Sequence, residues 1–358
     1  MSLLLRHLGR EIYLSIALIF FALVGLFAFM DFIHELGEMG KGQYHLGYVL
    51  LFVALIVPGH IYELFPVAVL VGTILALVQM AASSELTVYR CSGVSPQRMV
   101  GILLILAIPL VSLSLLLGEV VVPPSDRMAQ KLSLMARKGQ VALKEFRSGV
   151  WVKDERSFVN VKNVMLDTSL SEIDIYRFDE DHNLQAITHA KSASFMVEGR
   201  WQLDDVRETR FGKEGVSIHA QPVMNWGSAL HPGIFSVLLV VPEQMSAYDL
   251  YQYSNHLKDN RQKSARYEIA MWSKLVYPFT LVVMLLLALP FASYHRRTGG
   301  VGAMIFLGIL MGLAFHVIGR LFASLGALND WPPFISATAM TGLFLLLGSV
   351  MLWWTERR

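Results

Sequence analysis

The chain has 358 residues, of which 54% are hydrophobic and only 16% are charged, and its mean hydropathy is +0.49. This composition is far from that of a soluble domain and indicates that the lipid bilayer is the solvent of much of the chain. A net charge of +2 without a dense Lys/Arg run argues against nucleic-acid binding, and the single Cys91 excludes an internal disulfide.

Six uncharged stretches are each close to the ~20 residues that a helix needs to cross the hydrocarbon core. We predict spans at residues 12–30, 64–82, 100–118, 275–294, 301–319 and 334–354. A further apolar segment, residues 47–57, is short and is followed by Pro58 and Gly59, which favours an interfacial or re-entrant lead into the second span. The first span lacks a small-residue cleavage site, so we expect it to be retained rather than removed as a signal peptide.

The positions of the arginines predict the orientation, because short loops rich in Lys and Arg stay in the cytoplasm. With the N-terminus inside, the inner segments hold Arg6, Arg10, Arg90, Arg98, Arg296, Arg297, Arg357 and Arg358. The outer short loops then hold Lys41 and Arg320 as their basic residues. We therefore expect an inner-membrane protein with both termini in the cytoplasm and the long polar insertion in the periplasm.

The insertion, residues 124–264, has the pattern of a β domain flanked by short helices. A polar helical stretch at 126–138 continues the third span, and a short helix begins at a capping Ser246, with Leu250, Tyr253 and Leu257 on one face. Between them, short β-branched or aromatic segments separated by turn residues lie at 158–161, 173–176, 193–197, 201–203 and 216–218. Regular short strands predict a sandwich or jelly roll.

The expected fold class is therefore an α-helical membrane protein with six transmembrane helices and an inserted periplasmic all-β, jelly-roll-like domain. Residues 1–123 would form the first three spans, residues 124–264 the β domain, and residues 265–358 the last three spans.

The inner loop between the second and third spans predicts a short helix at the cytoplasmic surface. Ser83 or Ser84 can cap its start, where Glu85 suits the positive helix end. Gly93, followed by Pro96, suits its termination. Such a helix, rigidly joined to two spans, can seat in a groove of a cytoplasmic partner and pass motion into the membrane. An ordinary capped connector is the alternative that the residues alone leave open.

Polar groups near the outer membrane surface are the second candidate site, since ionisable side chains in lipid usually face a cavity or a partner. Asp31 and His34 close the first span, and His316 and Arg320 lie one helical turn apart near the outer end of the fifth. The latter two can face an anionic or phosphate-bearing headgroup. Snorkelling into the outer leaflet is the alternative for each residue, and Lys274 fits an interface belt without a function.

Sequence signatures of enzymes are absent: there is no phosphate-binding loop, nucleophile elbow, metalloprotease motif or dinucleotide fingerprint. We expect no catalysis and no cofactor or metal bound by this chain, so that energy from ATP would come from another polypeptide. A secondary transporter would place paired ionisable groups near the midplane of broken helices, and the predicted spans hold none there. A membrane-anchored periplasmic binding or sensing protein stays open.

Three spans, a periplasmic jelly roll and three spans together resemble the lipopolysaccharide export permeases, the LptF/LptG family, over nearly the whole chain. The resemblance is carried by residues 84–86 with 92–93 in the inner loop, by 190–193 with 201–203 in the β domain, and by 266–267 with 271–274 before the fourth span. The Met-Trp-Ser-Lys stretch at 271–274 favours the LptG branch, with an LptF-type permease as the alternative.

The resemblance implies a permease subunit of an ABC-type exporter. That exporter extracts lipopolysaccharide from the inner membrane and passes it to a periplasmic jelly-roll bridge toward the outer membrane. The implied partners are an LptF-type permease, an LptB-type ATPase dimer that uses ATP and Mg²⁺, and an LptC-type single-span jelly-roll protein.

The resemblance also implies roles for individual residues. Residues 83–93 would be a coupling helix that meets the ATPase through Ser84, Glu85, Leu86, Tyr89, Arg90 and Gly93. A substrate cavity between the two permeases, lined largely by first and fifth spans, would lie near Asp31, Phe32, His34, Lys41, His316 and Arg320. The outer end of the first span commonly carries basic residues in this family. Here acidic Asp31, Glu35 and Glu38 prevail, so positive charge would come from the LptF-type partner.

Overall fold

The structure is a computed structural model that describes most of the chain. The described residues are 2–37, 39, 45–136, 150–154, 156–164, 169–181, 183–196, 200–212, 215–227, 242–260, 262–291 and 301–356. Six helices within these ranges are long and apolar enough to cross a membrane, which confirms the six predicted spans.

The helices before the β domain form a bundle of three spans, and a short helix joins the second span to the third. They are α1 (Ser2–Leu36), α2 (Leu46–Ala82), α3 (Glu85–Cys91), α4 (Pro96–Leu116) and α5 (Val122–Ala136), with a π-helical turn at Leu117–Val121 between the last two. The third span thus runs on as one continuous helix. Its predicted polar continuation at 126–138 is confirmed as far as Ala136, and the last two residues lie outside the described part.

The interpretation of residues 47–57 as a separate interfacial segment is wrong. Helix α2 begins at Leu46 and passes without a break through Pro58 and Pro66 to Ala82. Proline removes a backbone donor and bends a helix, but neighbouring helices can hold both sides in place within a membrane bundle. The result is a helix of 37 residues, which at ~1.5 Å per residue reaches well beyond the hydrocarbon core.

The helices after the β domain are α6 (Ala247–Asp259), α7 (Ala265–Leu287), α8 (Val301–Leu328) and α9 (Pro333–Glu356). The predicted cap of α6 is confirmed, because the Ser246 hydroxyl accepts a hydrogen bond of 3.0 Å from the Asp249 amide. The predicted apolar face of α6 is also buried, and it packs against the start of α7.

Helix α2 lies at the centre of the bundle and packs against α1, α5, α7 and α8. All its residues from 68 to 78 are buried. Helix α1 approaches so closely that a Cβ at Gly72 would lie 2.5 Å from the Cα atom of Ile16. By contrast, α1 and α8 keep apolar faces exposed, as at Phe21 and Leu313, which face lipid or another subunit in a membrane.

The inserted domain is a six-stranded antiparallel sheet, and the predicted all-β insertion is confirmed. Its strands are β1 (Val150–Asp154), β2 (Ser157–Val164), β3 (Leu170–Phe178), β4 (Leu184–Phe195), β5 (Arg200–Gly212) and β6 (Gly215–Gly227). The predicted strand segments lie within β2 to β6, apart from Met196, which follows the end of β4, and residue 197, which is outside the described part. Strand β1 was not predicted.

The six described strands lie in chain order, each beside its neighbour in sequence. The described strands thus form an antiparallel meander. One face of the sheet carries an apolar core that includes Ile173, Trp201 and Leu203, each fully buried. Strand β6 is exposed over most of its length.

Candidate functional site

The inner-loop helix α3 forms where the sequence predicts it. Gly93 has a φ of +85°, a conformation that favours glycine, and the amide of Val94 donates to the Tyr89 carbonyl at 3.1 Å. This six-to-one bond is the mark of a Schellman stop, so the predicted C-terminal role of Gly93 is confirmed. At the other end, the Ser84 carbonyl accepts from the amides of Thr87 and Val88 at 3.0 and 3.1 Å.

Glu85 fixes α3 to the N-terminal part of α1. Its Oε2 lies 3.0 Å from Nε2 of His7, and its Oε1 accepts a bond of 3.0 Å from the Ser83 hydroxyl. The hydrogen bond from His7, followed by that from Ser83, lowers the pKa of the Glu85 carboxyl, which is therefore ionised at neutral pH. His7 is a site residue that sequence reasoning missed, because the two residues are 78 positions apart.

The predicted coupling residues divide between two sides of α3. Leu86 and Tyr89, three positions apart, pack against the membrane core of their own chain. Val88 is 60% exposed on the other side, and Ser84 and Cys91 are exposed as well. The side chain of Arg90 lies outside the described part. The surface of α3 that a partner could contact is therefore centred on Val88.

Beside the middle of α2, His316 and Arg320 of α8 come together as their spacing predicts. Both bind Oε1 of Glu63 on α2: Nε2 of His316 lies 2.9 Å from it, and the Arg320 guanidinium donates to the same atom. Both side chains are therefore paired with a carboxylate that was not among the predicted site residues. Arg320 is still 73% exposed and has further donors to offer.

The candidates at the end of α1 lie in different surroundings. Asp31 hydrogen-bonds to His60 on α2. Phe32 packs against the buried Val49 near the start of α2, whereas His34 is exposed. Lys41 lies outside the described residues. Among the predicted positions that the structure describes here, only Asp31 therefore forms a polar contact with another helix.

Two residues of α2 connect these polar contacts. His60 and Glu63 are three positions apart, so they lie on adjacent positions of one helical face. His60 binds Asp31 of α1, and Glu63 binds His316 and Arg320 of α8. The predicted second span began at residue 64, so both residues were assigned to a loop and their helical spacing was not recognised.

A third polar network involves Lys274, and its interpretation as an interface-belt residue is wrong. The side chain is 7% exposed, and its Nζ donates to the Gly118 carbonyl at 2.8 Å and lies 3.7 Å from Glu119 Oε1. The Glu119 carboxylate in turn accepts from the Ala247 amide at 3.0 and 3.2 Å. This network joins the π-helical turn to α6 and α7.

The fold and these contacts define a multi-pass membrane protein in which one central span ties together the helices on either side of an inserted β domain. Among the described residues, no group of three or more His, Cys, Asp or Glu side chains is placed to hold a metal ion.

Comparison with known proteins identifies the family. Residues 6–354 match the family described as lipopolysaccharide export system permease LptF/LptG. The chain is 31% identical over 354 residues to the lipopolysaccharide export system permease protein LptG of Haemophilus influenzae, covering 99% of this chain and 98% of that protein. It is 32% identical over 355 residues to LptG of Escherichia coli strain K12, with the same two coverages. The chain belongs to the LptF/LptG family and is a multi-pass inner-membrane protein.

Proposed function

We propose that this chain is the LptG-type permease subunit of an ABC-type exporter that extracts lipopolysaccharide from the inner membrane. It would work with an LptF-type permease, an LptB-type ATPase dimer and an LptC-type protein. This chain is expected to be non-catalytic, with ATP and Mg²⁺ used by the ATPase. Both termini and α3 would face the cytoplasm, and the β domain the periplasm. The observation that carries the proposal is the family match over residues 6–354 together with two LptG relatives that cover 99% of the chain.

Hydrocarbon chemistry limits how such an exporter can work. Burying one methylene group is worth ~0.8 kcal/mol, so moving several acyl chains through water would cost tens of kcal/mol. A route without a hydrated intermediate passes from the bilayer into an apolar cavity between permeases and then into an apolar groove of a β domain. The exposed apolar faces of α1 and α8 suit one wall of that cavity.

The polar contacts in the middle of α2, just before the predicted second span, suit the headgroup end of the same cavity. His60 and Glu63 connect α2 to α1 and α8, the two helices proposed to line it. Two polar contacts on one central helix would hold the two walls at a fixed separation. Any change in that separation requires these contacts to rearrange. The width of the cavity therefore depends on which of these polar side chains are paired.

Helix α3 suits transmission of motion from the ATPase. It is held to α1 by the Glu85–His7 contact and to the bundle core by Leu86 and Tyr89, so a push on α3 moves the spans as well. Its outward Val88 would enter an apolar groove of the ATPase. The proposed stroke narrows the cavity and expels the lipid toward the β domain.

The test replaces Val88 with Glu in the full chain, coexpressed with its LptF-type and ATPase partners. Because Val88 is exposed, the permease should fold, while the ATPase copurified per permease falls about tenfold or more. Two variants control for added charge. Thr87→Glu places the charge at the half-buried neighbouring position, and Leu328→Glu places it at an exposed apolar site far from α3. Leu328→Glu should leave association unchanged.

Full association of the Val88→Glu variant would overturn the coupling role of this face. A wild-type chain that purifies with neither an ATPase nor a second permease would overturn the exporter and favour the membrane-anchored binding or sensing protein.

A further inference from the structure

The inner face of the β sheet changes from apolar to charged along the strands. At one end it carries the buried Trp201 and Leu203. At Asp205, whose φ is +52°, the alternation shifts by one residue, so the buried Val206 and then Glu208 and Arg210 continue this face toward the β5–β6 turn. In the sheet register Ala186 lies between Arg177 and Arg210, so both arginines point to this face.

These charged residues line a cavity of about 760 Å³. Its walls include Arg177, Gln185, Glu208, Arg210, Phe211 and Ser217. Both guanidinium groups are partly exposed, at 40% and 58% of their side-chain surface, and each has more donors than a single carboxylate can use. The cavity therefore offers two cations to an incoming acidic group.

Glu208 is the residue that indicates a ligand. Its side chain is only 4% exposed, and its Oε2 is bound by Arg210 through Nε at 2.9 Å and Nη2 at 2.7 Å. Its Oε1 lies 3.9 Å from Nη1 of Arg177, which is too far for a hydrogen bond, and it has no hydrogen-bond partner among the described residues. A buried carboxylate oxygen without a donor is strongly unfavourable, so this site is incomplete without a donor group.

The cavity lies at the end of the sheet that is close to α6, the short helix before the fourth span. Ser157, opposite Arg177 in the register, also pairs with Asp154 at the end of β1. Asp154 is near enough to His256 of α6 for their charges to interact. Helix α6 is joined to the start of span α7 by the Lys258–Glu268 ion pair at 2.9 Å.

We propose that this cavity binds an acidic sugar, such as a phosphorylated amino sugar, whose amino or hydroxyl group donates to Oε1 of Glu208 while its acidic group accepts from Arg177 and Arg210. A hydroxyl-rich ring matches the remaining polar wall, which includes Gln185 and Ser217. A plain anion would satisfy the arginines but leave Oε1 of Glu208 without a donor. This inference rests on the proposed function only for the ligand's source, which would be a glycolipid headgroup at the membrane surface.

The experiment measures binding to the purified full chain in detergent by isothermal titration calorimetry. The probes are glucosamine 6-phosphate, glucose 6-phosphate, inorganic phosphate and glucosamine. We expect glucosamine 6-phosphate to bind about tenfold or more tightly than inorganic phosphate, because it adds a charge-assisted hydrogen bond. Equal affinity for these two probes would overturn the proposal.

Variants locate the binding in the cavity. Glu208→Gln should lose the preference for the amino sugar phosphate over inorganic phosphate. Asp205→Asn is the matched control, because Asp205 lies exposed on the same strand and its φ of +52° suits Asn, and it should keep the preference. Ser217→Trp, at an exposed position on the cavity wall, should abolish binding without touching the buried carboxylate. Wild-type binding by both Glu208→Gln and Ser217→Trp would overturn the assignment.

A competition arm identifies the source of the sugar. Nanodiscs that contain lipopolysaccharide should displace glucosamine 6-phosphate if the site takes a membrane headgroup, whereas nanodiscs of phosphatidylglycerol should not. If neither displaces it, the ligand is a soluble sugar acid. The Val88→Glu copurification test does not depend on this site, so the two proposals fail separately.

Discussion

The amine of Lys274 lies 2.8 Å from the carbonyl oxygen of Gly118, and this buried hydrogen bond joins the fourth span to the π-helical turn in the third. The same amine lies near Glu119, whose carboxylate binds the first amide of α6. π-Helical turns often occur at functional positions of otherwise regular helices. Here the turn presents a carbonyl and a carboxylate to a single cation from the second half of the chain.

Replacing Lys274 with Met keeps the length of the side chain but removes this bond. We expect the free energy of unfolding to fall by about 1–3 kcal/mol, because a buried carbonyl and a half-buried carboxylate lose their partner. Thermal unfolding of the detergent-solubilised chain measures the change. Lys263→Met removes an exposed pair with Asp330 and should stay within about 0.5 kcal/mol. An equal effect of the two variants would contradict a structural role for the Lys274 contact.

Gly72 sets the distance between the first two spans. A Cβ there would lie 2.5 Å from the backbone of Ile16, which cannot move aside as a side chain can. Gly72→Ala should therefore separate α1 from α2 and destabilise the chain by about 1–3 kcal/mol. Gly101→Ala is the control, since nothing lies within 4 Å of its Cβ position, and a helical alanine there should be neutral or stabilising by up to about 1 kcal/mol. Equal thermal stability of both variants would show that the helices tolerate the extra atom.

Glu63 of α2 binds both His316 and Arg320 of α8. The Glu63→Gln variant keeps the shape of the side chain but leaves Arg320 without its carboxylate. We expect the affinity for lipopolysaccharide in nanodiscs to rise by about fivefold, since one basic group near an anionic surface is worth about 1 kcal/mol. Asp330→Asn, which removes an exposed outer carboxylate, is the matched control and should change affinity less. Weaker binding by Glu63→Gln would argue that Glu63 contacts the ligand itself.

His256 predicts a pH dependence of stability. Burial lowers the pKa of His256 from its ordinary value of 6.5, and the nearby Asp154 and Asp259 oppose this only in part. The unfolded chain then binds the proton more readily than the folded one. Stability is therefore greatest above about pH 6.5 and declines as the pH falls through that value toward the folded-state pKa.

The measurement is the thermal unfolding midpoint between about pH 8 and pH 5.5. His256→Gln should flatten part of the decline, whereas His34→Gln, at an exposed position, should leave the profile as it is. An unchanged slope in His256→Gln would assign the pH dependence to other groups.

Prediction from the sequence is correct where local chemistry decides the structure. Long uncharged runs specify the six spans, because a backbone in hydrocarbon must form its own hydrogen bonds. Gly93 and Ser246 mark helix ends through backbone conformation and capping, which depend on a few neighbouring residues. It failed at residues 47–57, because a proline stops a helix only when no neighbour supports it, and that support comes from packing.

The sequence by itself determined that this is a six-span membrane protein with an inserted β domain, and its motifs indicated the family. Only the tertiary structure decided which polar groups pair: His7 with Glu85, Asp31 with His60, and Glu63 with His316 and Arg320. Hydropathy and capping act over a few residues along the chain. Pairing depends on which helices and strands lie side by side, and that is settled by packing between segments far apart in sequence.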